Sequence, residues 1–330
     1  MKTLAVIGAG SFGTALAIAF APRVEHVRLW AFEQDLVDAM RANGENEVFL
    51  PGFRLPGNIS FTTDLREAVT GADCIMGAMP SQHARRLYSE MRPYFSMRQQ
   101  RLVSATKGIE NSTLLRMSQV IEQVLDRPPV AVLTGPSFAK ELAAGLPSAM
   151  VVASNNRHLS SEIQEHFSGG FIRLYTQDDP IGCEIGASIK NVVSVASGIV
   201  AGLRLGHNTT AALITRGLRE MTRLAEALGG RAETLSGLAG LGDMVLTCTG
   251  DLSRNRRVGI LLAEGQTLEQ ITGSMRMVAE GVHTTYAAYD LAVKHNLDMP
   301  IVKAMYQILK NGKTPREAIH ELMERPLRGE

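Results

Sequence analysis

The chain is short of cysteine, of aromatic side chains and of net charge, and each shortage closes off a class of function. Only Cys74, Cys183 and Cys248 occur in 330 residues, and no pair has the spacing of a metal site or a redox dithiol. An odd, scattered set offers no disulfide framework and fits a reducing compartment, so a cytoplasmic protein is expected. Lys and Arg number 34 against 33 Asp and Glu, a net charge of +1. That balance predicts no dedicated nucleic-acid or anionic-membrane surface, while leaving room for one local anion pocket. None of the eight histidines has metal-ligand spacing or accompanies a nucleophile elbow. Neither a metal site nor acyl transfer is expected. One Trp, six Tyr and ten Phe stand against 31 Gly, which points to closely packed backbone and tight ligand-approach turns. The length predicts about two domains.

What is present begins with an apolar stretch, residues 4–21, that follows Lys2 and ends Ala19-Phe20-Ala21. Its outline is that of a secretory signal. Against that reading, Gly8, Gly10 and Gly13 interrupt the supposed helix, each at a cost of about 1 kcal/mol relative to Ala. The positive region is a single lysine. The stretch is better divided into a strand at 3–7, a turn at 8–13 and a helix at 14–20. Gly8-Ala9-Gly10-Ser11-Phe12-Gly13 then becomes a GxGxxG turn between strand and helix. A dinucleotide needs glycine there for a tight turn, for close approach of the pyrophosphate, and for helix-on-strand packing. The helix N-terminus adds free amides and a partial positive charge. Residues 27–32 read as a second strand, and Glu33 falls where an acidic residue accepts from the ribose hydroxyls. Its bland reading is a solvated helix cap.

Further apolar runs end in polar or glycine-proline turns: 74–79 before Pro80-Ser81, 102–105 before Thr106-Lys107-Gly108, and 130–133 before Thr134-Gly135-Pro136-Ser137. Residues 149–153 and 171–175 are two more candidate strands, and 114–124 is helical in pattern. Strands alternating with helices predict an α/β Rossmann-type, doubly wound, largely parallel sheet, with ligands beyond the carboxyl ends of its strands. Lys107, Gly135 and Ser137 would share that crevice; the bland alternative for Lys107 is an ordinary surface lysine. Past Asp178-Asp179-Pro180 strand patterns fade and long helices follow. The expected division is 1–180 for the dinucleotide-binding domain and 181–330 for an all-helical substrate-binding and catalytic domain.

In the second half, Lys190 lies among small and apolar residues, Gly186-Ala187-Ser188-Ile189 before it and Asn191-Val192-Val193 after it. Desolvation and a neighbouring cation would lower its pKa toward the range useful for proton transfer, and a carboxylate would oppose the shift. Asp243, after the glycine-rich Gly237-Leu238-Ala239-Gly240-Leu241-Gly242, is the best candidate carboxylate, with a helix N-cap as its bland reading. Ser253-Arg254-Asn255 opens a helix, with Ser253 as N-cap. Amides, helix dipole and guanidinium together form an anion site. Arg256 and Arg257 read as a solvated basic face.

Taken in order, these motifs resemble the bacterial-type NAD(P)-dependent glycerol-3-phosphate dehydrogenases. The glycine turn, Ser104 to Gly108, Gly135 to Glu141, Lys190-Asn191, the run from Gly237 through Asn255, and Val278-Ala279-Glu280-Gly281 carry the resemblance over nearly the whole chain. The resemblance implies interconversion of dihydroxyacetone phosphate and sn-glycerol 3-phosphate, which supplies the phospholipid backbone. It implies Lys190 as general acid and base. It places substrate at Lys107, Gly135, Ser137, Lys190, Asp243, Ser253, Arg254 and Asn255. It places cofactor at Ser11, Phe12, Lys107, Ala139, Arg254, Val278 and Glu280, beside the glycines. Many members carry Arg or His after the second strand, whereas Trp30-Ala31-Phe32-Glu33 stands here, so NAD is favoured over NADP. The implied partner is a small phosphorylated substrate, with no nucleic acid and no membrane insertion; a homodimer is left open. Two other readings stand beside it: a 6-phosphogluconate or β-hydroxyacid type of dehydrogenase, and a dinucleotide sensor without turnover.

Overall fold

The structure, a computed structural model, describes residues 1–274, 279–327 and 329. Eight strands make one sheet: β1 (Thr3–Ile7), β2 (His26–Trp30), β3 (Ile59–Thr62), β4 (Cys74–Gly77), β5 (Arg101–Ser104), β6 (Val130–Thr134), β7 (Ser148–Ala153) and β8 (Ile172–Gln177). Their order is β3-β2-β1-β4-β5-β6-β7-β8. The first six run parallel; β7 is antiparallel to β6, and β8 runs parallel to β7. The strand order reverses beside β1, the position at which doubly wound sheets bind ligands. Ile7 pairs with both Trp30 and Gly77, so the turns leaving β1, β2 and β4 emerge side by side.

The alternation along β1 explains both layers. Leu4 and Val6 enter one core with the helices Ser11–Phe20, Gln34–Asn43 and Arg157–Phe167. Ala5 and Ile7 enter the other with Leu65–Val69, Ala84–Met91 and Met117–Val124. Successive strand side chains point to opposite faces, and a strand covered on both faces is apolar throughout.

Two strand expectations shift. The four residues of β3 carry too short a pattern to be read as a strand; pairing with β2 makes them one. The second strand stops at Trp30, which releases Ala31-Phe32-Glu33 toward the crevice.

After β8 the chain is helical. Every residue from Gly182 to Val200 in the helix Pro180–Gly202 is buried. This helix is long and apolar enough to cross a membrane, but 89% of its most apolar window is buried inside the protein. Helices Gly206–Ala227, Asp243–Thr249, Arg254–Ala263, Glu280–Lys294 and Pro300–Asn311 pack around it. One crossing is unusually close. A Cβ on Gly198 would lie 1.9 Å from the Arg256 carbonyl oxygen, and one on Gly259 would lie 1.9 Å from that of Val195. Bare backbone contact thus sets the Arg254 helix against the Lys190 helix. The same central helix ties back to the sheet half. Glu184 accepts 2.7 Å hydrogen bonds from Ser118 N and Ser118 Oγ and pairs with Arg116, at the start of the helix Met117–Val124.

Candidate active site

At the sheet end, the three glycines have three separate jobs. Gly8 has φ +121°, and a Cβ there would meet the Ala78 carbonyl oxygen at 2.8 Å. A Cβ on Gly13 would sit 1.8 Å from the Gly8 carbonyl oxygen, whereas one on Gly10 would meet nothing within 4 Å. Strand, turn and helix are therefore packed tightly, with open space over the middle glycine. The helix Ser11–Phe20 has no side-chain cap and no acidic residue in its first turn. Amides, dipole and open approach fit a pyrophosphate. Ser11 Oγ donates to Phe49 O at 2.6 Å, which pins the following loop over this turn. Phe12 and Ala139 pack at the edge of one core.

Glu33 is exposed at the N-cap position of the helix Gln34–Asn43, yet its side chain makes no capping bond. It adjoins Phe32, which is 65% exposed. A carboxylate not engaged by its own helix suits a ribose hydroxyl. Glu280 opens the helix Glu280–Lys294 and accepts from Ser81 N at 2.9 Å and Ser81 Oγ at 2.7 Å. Burial pushes its pKa up, against the Ser81 hydrogen bonds and the charges of His283 and Arg254. Val278 lies outside the described residues.

Lys190 meets its carboxylate. Its buried Nζ donates to Asp243 Oδ1 and, at 3.0 Å, to Thr247 Oγ1. Lys107 Nζ donates to the other oxygen, Asp243 Oδ2, at 3.0 Å and approaches Gly135 O at 3.4 Å. It also lies 5.1 Å from the centre of the Phe12 ring. Ser137 Oγ donates to the same Gly135 carbonyl at 2.9 Å. Burial brings the Lys190 pKa down to about 7; the Asp243 carboxylate opposes this and the Lys107 charge adds to it. The glycine-rich segment is a π-helical turn, Leu238–Gly242, running straight into the helix Asp243–Thr249. Gly242 holds the cap position, so Asp243 is the first helical residue and not a cap. Its carboxylate is left for the two lysines.

The anion site is built as the sequence suggests, with one correction. Ser253 caps its helix by accepting from Arg256 N at 3.2 Å, and its Oγ lies 2.9 Å from Ser194 Oγ. Asn255 Nδ2 donates to Asn191 Oδ1 at 2.9 Å, while Asn255 Oδ1 accepts from Gly281 N at 3.0 Å. Asn255 thereby joins the neighbour of Lys190 to the helix that begins at Glu280. Arg254 is solvent-accessible and makes no hydrogen bond or ion pair among the described residues. Burial lowers its pKa, and Glu280 opposes the shift. A guanidinium walled by protein yet open on one side is a crevice cation. Arg256 is not on a solvated basic face: it pairs with Asp251 at 3.0 Å and keeps only 22% of its side-chain exposure.

The fold thus brings Lys107, Gly135, Ser137, Lys190 and Asp243 together, with Arg254 attached through Asn255 and Asn191. Sequence reasoning overlooked Thr247, although its i,i+4 spacing from Asp243 was legible. It also gave Ser81 no role, for no local signal connects that residue to Glu280.

Comparison with known proteins agrees over the whole chain. Residues 3–160 match the family described as NAD-dependent glycerol-3-phosphate dehydrogenase N-terminus, and residues 179–320 match its C-terminus. The glycerol-3-phosphate dehydrogenase (NAD(P)+) of Koribacter versatilis (strain Ellin345) is 50% identical over 331 residues, covering 99% of this chain and 98% of that protein. The protein of the same name from Citrifermentans bemidjiense is 49% identical over 334 residues, covering 100% and 99%. The crystal structure of glycerol-3-phosphate dehydrogenase from Coxiella burnetii superposes with a TM-score of 0.94 at 41% identity, covering 98% of this chain and 99% of that one. The chain belongs to the NAD-dependent glycerol-3-phosphate dehydrogenase family.

Proposed function

We propose that this protein interconverts dihydroxyacetone phosphate and sn-glycerol 3-phosphate with a nicotinamide cofactor, NADH preferred, and supplies glycerol 3-phosphate for phospholipid synthesis in the cytoplasm. The observation that carries the reading is the buried Lys190 with a pKa near 7, joined through Asp243 to Lys107 at the sheet crevice. A nicotinamide held at the glycine turn supplies or accepts the hydride. Lys190 gives its proton to the ketone oxygen in reduction and takes it back in oxidation. Lys107 faces the same oxygen and stabilises the charge that develops there. Asp243 and Thr247 fix the ammonium of Lys190 in direction. Ser137, Ser253, Asn255 and the amides of the Arg254 helix line the substrate, and Arg254 anchors its phosphate away from the reacting carbon. Binding energy realised at the phosphate then serves orientation.

Labour divides near residue 180: the sheet half holds cofactor through Gly8, Gly10, Ser11, Phe12, Gly13, Glu33 and Ala139, and the helical half supplies Lys190 and the anion site. We read the protein as needing neither nucleic acid nor membrane insertion. A homodimer is the assembly to check, by light scattering.

The experiment is nicotinamide absorbance at neutral pH with dihydroxyacetone phosphate added. NADH should be consumed in step with glycerol 3-phosphate formed. Lys190→Ala should lose about 10²–10⁴-fold in kcat while still binding NADH in a fluorescence titration. Near-normal turnover in that variant would assign the proton to another group.

A further inference from the structure

Ser81 and Gln82 follow β4 in the single turn Ser81–His83, and none of the roles above includes Gln82. Their side chains serve different machinery. Ser81 is fully buried, and its amide and hydroxyl occupy both oxygens of Glu280, at 2.9 and 2.7 Å. Gln82 turns toward the segment after Lys107. Its Nε2 donates to Ile109 O at 2.8 Å and to Asn111 Oδ1 at 3.3 Å, and its Oε1 accepts from Asn111 N at 3.0 Å. The same Nε2 lies 3.1 Å from Ser81 Oγ, so the two residues are also linked to each other.

Gly108 sits where these contacts converge. It has φ +150°, and a Cβ there would come 2.5 Å from Ser81 Oγ and 2.9 Å from Glu280 Oε2. The Lys107 turn, Ser81 and Glu280 therefore interlock without room for a methyl group. Thr106 Oγ1 closes the joint from the other side by donating to Met79 O at 3.1 Å. Three separate segments meet at one two-residue turn: the loop after β4, the loop after β5 and the start of a helix from the helical half.

We propose that Ser81 and Gln82 are positioning residues with separate duties, Ser81 fixing the Glu280 carboxylate for the cofactor and Gln82 fixing the turn that aims Lys107 at the substrate. This rests on the proposed dehydrogenase reading. A merely structural turn would give both residues one kinetic signature, namely loss of stability. Separate duties give two.

The test is steady-state kinetics of Ser81→Ala and Gln82→Ala with dihydroxyacetone phosphate and NADH, alongside thermal unfolding. Ser81→Ala should raise KM for NADH about tenfold with kcat within about twofold, since a charge-assisted hydrogen bond to a cofactor ligand is lost. Gln82→Ala should lower kcat about tenfold with KM for NADH within about twofold, because Lys107 loses its aim. Should Gln82→Ala fail to fold, the near-isosteric Gln82→Glu, which removes only the Nε2 donors, carries the same expectation. Both variants shifting the same parameter would overturn the assignment, as would a lowered melting temperature with both parameters unchanged. An unmodified protein that fails to oxidise NADH with this substrate would overturn the dehydrogenase reading itself.

Discussion

Lys107 and Lys190 grip opposite oxygens of one buried carboxylate, Asp243. With both protonated, two positive charges face a single negative one. The surplus is available to an oxygen that gains negative charge during ketone reduction. The arrangement also sets the acidity of Lys190. Burial is the largest influence and lowers its pKa; Asp243 pulls it up, and the Lys107 charge pushes it down again, to about 7. A group with that value gives and takes a proton with equal ease near neutrality.

The first prediction is the pH dependence. Ketone reduction uses protonated Lys190, so its kcat/KM should fall as pH rises through about 7, while alcohol oxidation should rise across the same range. The neighbours shift the midpoint in opposite senses. Asp243→Asn removes the pull toward the charged form and should move it lower; Lys107→Met removes the repulsion and should move it higher. Profiles of kcat/KM for the three proteins check this, and midpoints moving in the same direction would refute it.

Arg254 should matter in proportion to substrate charge. Charge-assisted hydrogen bonds contribute roughly 1.5–3 kcal/mol, so Arg254→Ala should cost about ten- to hundredfold in kcat/KM for dihydroxyacetone phosphate. Unphosphorylated dihydroxyacetone cannot use the anion site, and its slow turnover should change far less. Proximity to Glu280 gives Arg254 a share in cofactor binding as well. The informative quantity is therefore the difference between the two substrates, and equal losses would assign Arg254 to cofactor or fold.

Cofactor choice should follow Glu33. Exposed and uncommitted to its own helix, its carboxylate repels a 2′-phosphate and accepts from a 2′-hydroxyl. Glu33→Arg should shift the ratio of kcat/KM toward NADPH. The nearby Arg86, whose guanidinium lies 5.3 Å from the Phe32 ring centre and pairs with Glu90 at 3.0 Å, is held by other partners in the unmodified protein. Equal or better efficiency with NADPH before any substitution would contradict the assignment.

The link between the two halves should be costly to cut. Glu184 and Arg116 keep only 4% and 11% of their side-chain exposure, and Glu184 also takes both the amide and the hydroxyl of Ser118. Removing one member of such a buried pair typically costs about 3–5 kcal/mol, because the other charge stays behind unpaired. Glu184→Ala should lower the unfolding temperature sharply. The double variant with Arg116→Ala should be less destabilised than the sum of the two single changes. Additive losses would mean the pair contributes nothing as a pair.

What the sequence determined was local. The strand-turn-helix at the N-terminus is written in an apolar period followed by three glycines. Helices Arg254–Ala263 and Pro315–Met323 begin and end where their patterns do, and Ser253 caps the first of them as its position suggests. Lys190 could be singled out because a charge in an apolar helix is conspicuous wherever the helix packs. The tertiary structure decided what depends on distant partners. Lys107 reaches Asp243 across 136 residues and Ser81 reaches Glu280 across 199, and no period or propensity reports such pairings. The edge strand β3 exists because β2 lies beside it. Arg254 and Arg256 look alike in sequence; Asp251 engages one, and the packing of the helix leaves the other open to the crevice. Local conformation follows from each residue's own backbone and side-chain preferences, which the sequence carries outright. Long-range contacts follow from how whole elements bury their apolar faces, which is settled only when the chain closes on itself.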